Sequence, residues 1–423
     1  MLRSFRNSGW FLCAFAVLFL GVARNSWAQE VAPVVAGGIE VAADDLYPKI
    51  SRRQLDRYER MLKLDEEQKE TVGILFEGYS LAMREKQTAY REMFQAYMKS
   101  MEGADWSDPG SMDRMRDSQR KFMEDSQQFQ KSMVGIDDGF LADIKSVLRE
   151  DQAEAYPRVD RARLREMVMR QSQFGGLGVD LYETLETIFE RKPMPPEVEE
   201  AVVRYEEDLE RPLRDMWKWG LEMQEKQADM MDDLMAGDMT AMQEIFEGVS
   251  GMMKAVNVTS RDHRRRISNI LSEDMRAKFE NEYNTRAHPD VYAESTFTKA
   301  AKSAAAMGSL SDDQRTRLTE LRSAYDKQAA TVNQSWADTV DQQKDELGMQ
   351  YYMTMAMGND EINAAVEKRN ALDKEFRNRL EAILTAEQRA ELPEHEEVNA
   401  NPWADLMEMN MGGEAEDPKD GDW

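Results

Sequence analysis

The side chains with the most distinctive chemistry in this sequence are its 31 methionines. They gather as Met230-Met231 with Met235, Met239 with Met242, Met252-Met253, Met353-x-Met355-x-Met357 and Met407-x-Met409-x-Met411. Thioethers bind soft Cu(I), most readily where alternate residues supply several in a row. They also make flexible, polarizable surfaces that repack around varied apolar partners. Methionines at helical spacing are accounted for by a helical core. Met407, Met409 and Met411 lie instead in an aperiodic tail, which makes them the Cu(I) candidates. Other metal chemistry has little to work with, because His263, His288 and His395 are far apart and form no recognisable ligand spacing.

A catalytic centre is not expected. Nucleophile elbows, phosphate-cradling glycine loops and nucleotide fingerprints are absent. The 81 acidic residues single out no acid–base pair. No enzyme activity and no cofactor follow from these residues. The formal charge of -26 repels phosphate backbones and anionic lipid, so nucleic acid is excluded as a natural partner. Basic residues concentrate at Arg158, Arg161, Arg163 and Arg165, and again at Arg261, His263, Arg264, Arg265 and Arg266. Their expected role is to neutralise neighbouring acidic helices, with a docking patch for acidic partners as the alternative.

Residues 1–28 read as a signal peptide: Arg3 and Arg6 precede an apolar run from Trp10 to Val22, and Ser26-Trp27-Ala28 offers a cleavage point after Ala28. An exported, periplasmic protein is expected. No later run approaches the roughly 20 apolar residues of a membrane helix, so no membrane insertion is expected after cleavage. Cys13 leaves with the signal, which removes disulfides and thiolate ligands from the mature chain.

The remainder is predicted to be all-α. Val72, Tyr79, Met83, Tyr90, Phe94 and Tyr97 recur at multiples of three and four, as one buried helix face requires. Val198, Val202, Tyr205, Leu209 and Leu213 do the same in a second long helix, where Pro212 predicts a kink. Leu318, Leu321, Tyr325, Trp336, Val340 and Tyr351 make a third stripe. Each long helix stops at a short Gly/Asp/Asn segment before another begins. The expected architecture is therefore three tandem helical hairpins at 51–170, 180–290 (degenerate) and 300–392. A flexible segment, 29–50, precedes them, and an acidic, disordered, Met-containing tail, 393–423, follows.

The hairpins end alike. Leu148-Arg149-Glu150-Asp151-Gln152, Leu271-Ser272-Glu273-Asp274-Met275 and Leu384-Thr385-Ala386-Glu387-Gln388 share a register, and Phe140, His263 and Phe376 stand eight residues before each leucine. His263 thus takes an aromatic position, which predicts packing rather than ligation. Leu64-Asp65-Glu66-Glu67-Gln68 opens the first unit and Leu310-Ser311-Asp312-Asp313-Gln314 the third; the middle opens loosely at Lys192-Pro193-Met194-Pro195-Pro196. Agreement in three places points to internal duplication, although Ser or Thr followed three residues later by Gln is also an ordinary capping box.

A Leu-Thr-x-x-Gln pattern bracketing a helical unit behind a signal peptide resembles the LTxxQ-motif periplasmic family of Spy and CpxP. The motif positions are Leu64, Gln68, Leu148, Gln152, Leu271, Met275, Leu310, Ser311, Gln314, Leu384, Thr385 and Gln388. Arg149 replaces the hydroxyl residue and Met275 the glutamine in two of them, and known members carry a single unit. The resemblance implies an all-helical, ATP-independent chaperone or envelope-stress factor that forms homodimers. Its partners would be unfolded or partly folded envelope proteins. The alternatives are a scaffold that binds one defined envelope partner and, third, Met-based copper binding or metal-stress sensing.

Overall fold

The computed structural model describes residues 47–101, 109–171, 177–235, 240–348, 350–395 and 397–398. Residues 1–28, read from sequence as a signal peptide, and the Met407, Met409, Met411 string lie outside them. Every regular element among the described residues is an α-helix, as the periodicity predicts.

Packing divides the chain into two compact units, one formed by Met1–Tyr182, Met194–Ile245 and Ala255–Ile270, the other by Glu183–Pro193, Phe246–Lys254 and Leu271–Trp423. The sequence reading expects three consecutive segments, whereas this division runs through the middle one.

In the first unit, α1 (Arg52–Met61) leads into α2 (Glu66–Met101), followed by α3 (Pro109–Ser146), the single turn α4 (Glu150–Ala153) and α5 (Tyr156–Gln171). A capping box between Ser51 and Gln54 starts α1. Helices α2 and α3 lie side by side and antiparallel: Tyr79 stacks on Phe140 at 4.6 Å, Tyr90 meets Phe129 at 4.6 Å and Tyr97 stacks on Phe122 at 4.4 Å. Val72, Tyr79, Met83 and Tyr90 are buried along that seam. The division between the units falls within α6 (Leu181–Ile188) and within α8 (Thr240–Ile270), and between these two helices α7 (Pro196–Met235) continues as helix through Pro212. Within the first unit α7 runs along α5, and its side chains reach α8 where Tyr205 and Asp208 meet His263.

The second unit contains α9 (Glu273–Ala287), α10 (Pro289–Tyr292), α11 (Thr296–Ala306), α12 (Asp312–Leu347), α13 (Gln350–Met357), α14 (Asp360–Glu381) and α15 (Ala386–Ala390). Helices α12 and α14 are antiparallel, with Phe297, Tyr325, Leu372, Phe376 and Leu380 in one core cluster and Val291, Trp336, Val340, Tyr351 and Val366 in another. Gly348 ends α12 with φ of 53°, and a Cβ there would come within 2.6 Å of the Ser250 side chain. Only glycine meets both demands.

Candidate functional site

Folding a long helix back on another brings the start of one beside the end of the next, so each opening motif meets its closing motif. Gln68 and Gln152, 84 residues apart, form a reciprocal amide pair: Gln68 Nε2 donates to Gln152 Oε1 at 2.7 Å, and Gln152 Nε2 donates to Gln68 Oε1 at 3.0 Å. The second hydrogen of Gln68 goes to the Val147 carbonyl at 2.9 Å, and that of Gln152 to the Lys63 carbonyl at 3.1 Å. Lys63 adopts the left-handed conformation, φ 50°, at this junction. Each Oε1 accepts a further bond from its own turn, from the Asp65 N–H and the Arg149 N–H. Both side chains are buried and use their full capacity of two donors and two accepted bonds. Arg149, standing where a capping hydroxyl is expected, pairs across the junction with Asp65.

The second unit builds a related clasp in which the amide–amide bond runs one way only. Gln314 Nε2 donates to Gln388 Oε1 and to the Ile383 carbonyl, both at 2.9 Å, and Gln388 Nε2 donates to the Ser309 carbonyl at 3.1 Å. Complete capping boxes join Ser311 to Gln314 and Thr385 to Gln388. The capping reading and the repeat reading of this motif therefore both describe it: the glutamine that caps its own helix also ties the hairpin's ends together. Leu64, Leu271, Leu310 and Leu384 are buried beneath, and Leu148 is half-buried.

The closing motif of the middle segment has no glutamine. Met275 is half-buried and Ser272 makes no side-chain cap. What persists is the next residue: Arg276 donates to the Leu271 carbonyl, as Arg389 does to the Leu384 carbonyl.

A second recurring set lies inward of the clasps and was not singled out as polar by sequence. Tyr79 follows Gln68 by eleven residues, and Tyr325 follows Gln314 by eleven. Asp137 and Asp373 each precede their closing glutamine by fifteen. The Tyr79 hydroxyl donates to Asp137 Oδ1 at 2.8 Å and accepts from the Ile50 N–H at 2.8 Å. The Tyr325 hydroxyl donates to Asp373 Oδ1 and lies 2.6 Å from Ser295 Oγ. In both cases the tyrosine anchors the residues just before a short helix, α1 or α11. Burial is the main reason both phenols sit above their usual range. Tyr205 repeats the arrangement: it accepts from the Leu181 N–H at the start of α6 and lies 5.6 Å from the His263 ring. Ser260 adjoins its hydroxyl in the register held elsewhere by aspartate. Counting back eleven from Tyr205 gives Met194, so the middle segment carries methionine at both glutamine registers. His263 is buried, with Nε2 2.8 Å from Asp208 Oδ2, which fits the packing role expected of it.

The arginines of α5 face inward. Arg163 pairs with Asp137 and donates to the Pro48 carbonyl, Arg165 joins Asp180 and Glu206, and Arg158 joins Glu199 and Glu206. Glu166, wholly buried, takes Arg57 at 3.0 Å and the Tyr58 hydroxyl at 2.6 Å. Burial raises its pKa, opposed by Arg163 and Arg57. These arginines neutralise buried carboxylates, so Arg163 and Arg165 are not available as a docking patch. Among the described residues no three or more His, Cys, Asp or Glu side chains converge as a metal site, and no helix is long and apolar enough to cross a membrane. Met253 is buried and Met355 packs on a core cluster.

Aromatic burial gives a pH prediction. Burial pushes Tyr90 up to about 12, and burial followed by Asp290 and Asp341 does the same for Tyr351. The neutral phenol is the form each core holds. Its stabilisation is fully present below the unfolded pKa of about 10 and is lost as pH rises from there to about 12. Unfolding midpoints measured across that window should fall less steeply for Tyr90→Phe and Tyr351→Phe than for the parent. Identical slopes would contradict the assignment.

The fold and these sites define an all-α protein with two long helix pairs whose ends are joined by paired glutamines. A family model described as a domain of unknown function, DUF4890, matches residues 281–392. The match includes Gln314, Tyr325, Asp373 and Gln388. Comparisons with curated proteins and with solved structures return no match.

Proposed function

We propose that this chain is an exported, non-enzymatic protein that holds unfolding envelope polypeptides without ATP, in the manner of the LTxxQ-motif family it resembles. The motif glutamines spend their hydrogen bonds on the clasps, which leaves the outer helix faces for binding. The observation that supports the reading most directly is on α2. Ile74 is 66% exposed and Leu81 53% exposed, two helical turns apart on the side opposite the buried Val72, Tyr79 and Met83. Exposed Glu67, Glu70, Glu77 and Glu85 accompany them. An apolar ridge offers weak, sequence-tolerant contact, and the surrounding negative charge keeps a loaded complex dispersed.

The test is light scattering of reduced insulin and of heated citrate synthase, without ATP, in the presence of the mature chain. Suppression of both near stoichiometric ratios is expected, weakened several-fold by Ile74→Lys with Leu81→Lys. No suppression of either client would overturn the proposal in favour of a scaffold for one defined partner.

A further inference from the structure

The last described residues do not trail away from the second unit. Beyond α15 the chain returns along it: His395 Nδ1 lies 3.2 Å from Thr296 Oγ1 at the start of α11, and Val398 reaches α14. There the Asn370 side chain grips one residue's backbone at both ends. Asn370 Nδ2 donates to the Val398 carbonyl at 3.0 Å, and the Val398 N–H donates to Asn370 Oδ1 at 2.9 Å. A residue turns its N–H and C=O to the same side only when extended, so a helix side chain here plays the part of a neighbouring strand. The Val398 side chain meanwhile packs on the core cluster formed by Val291, Trp336 and Val366.

This geometry reads backbone rather than sequence. It asks of its occupant an extended conformation and one small branched aliphatic residue. Those are properties of unfolded polypeptide, and they differ from the way the first hairpin is covered. After its closing motif that hairpin receives α5, 16 residues of helix locked in by buried ion pairs. The last hairpin receives a short extended stretch held by one asparagine and one valine.

We propose that the Asn370 site on α14 is a binding site for extended polypeptide, and that Val398 occupies it as an internal stand-in which a client segment displaces. The identity of the natural occupant as a client rests on the holdase reading; the existence of the site does not. Release of the internal segment should therefore open the site to the same sequence supplied from outside.

The experiment uses the full mature chain and a fluorescent peptide that reproduces residues 393–402. Val398→Pro in the chain removes the amide that donates to Asn370 and should release the segment. Peptide anisotropy should then report binding about tenfold tighter than to the parent, the factor that corresponds to roughly 1.4 kcal/mol. Adding Asn370→Ala, or Asn370→Asp, which keeps an acceptor and loses the donor, should abolish that gain, with far-UV circular dichroism confirming that both variants stay helical. Equal binding by parent and Val398→Pro, or a gain that survives both Asn370 substitutions, would overturn the proposal. Client scattering is read in parallel. Peptide binding without suppression by any form would remove the holdase reading and leave the site; suppression without peptide binding would do the reverse.

Discussion

Arg163→Met is expected to lower the unfolding free energy of the first unit by roughly 3–5 kcal/mol, the range for removing one partner of a buried ion pair. Arg163 and Asp137 are both almost fully buried, and the guanidinium also holds the Pro48 carbonyl. Without it Asp137 keeps the hydroxyls of Tyr79 and Tyr47 but loses its counter-charge, with its own charge in a medium that stabilises it poorly. Arg52→Met provides the contrast. Arg52 pairs with exposed Asp56 at 3.1 Å and reaches the nearly buried Glu59 at 3.6 Å, but its own side chain is 58% exposed, and pairs made by so exposed a cation contribute at most about 1 kcal/mol. Denaturant unfolding of the two variants decides the matter. A loss for Arg163→Met no larger than that for Arg52→Met would mean that water reaches the buried pair.

The glutamine clasp makes the other large prediction. Gln152→Met should destabilise strongly, because it strands Gln68 and the Arg149 N–H in a buried junction. Each buried group left without a partner costs about 1–3 kcal/mol. Gln68→Met should cost a similar amount for the same reason. The double variant removes both halves of the pair and substitutes flexible apolar side chains, so its cost should fall well short of the two single losses added together. A coupling of at least about 1 kcal/mol is expected in the double-mutant cycle. Additivity within about 0.5 kcal/mol would show that the two amides act independently.

The helices were legible in sequence because burial on one face leaves a period. Val72, Tyr79, Met83 and Tyr90, and again Leu318, Leu321, Tyr325 and Trp336, are buried where that period puts them. The motif glutamines were also visible as paired endings. The polar interior was less so. Asp137, Glu166, Arg163 and Asp373 look like solvated charges when read singly, since only the fold shows which carboxylate meets which guanidinium. The signal that would have found the tyrosine–aspartate pairs is spacing relative to the motif, eleven residues after one glutamine and fifteen before the other. Periodicity along a single helix does not reveal a distance across two. The α5 arginines illustrate the same limit: their cluster predicted neutralisation, but not that the carboxylates neutralised lie on α3 and α7 and beside α6.

Glutamines with every donor and acceptor engaged also constrain how such a chain can drift. A lineage that loses one amide passes through an intermediate with a stranded partner, so random single changes at these positions are removed before the second can arise. Escape needs both positions to change, or a background stable enough to carry the damaged form for a time. The middle segment has methionine at both registers, Met194 and Met275, and a serine, Ser260, in place of the aspartate further in. With neither amide present, that segment leaves no glutamine stranded at the registers the other two hairpins fasten.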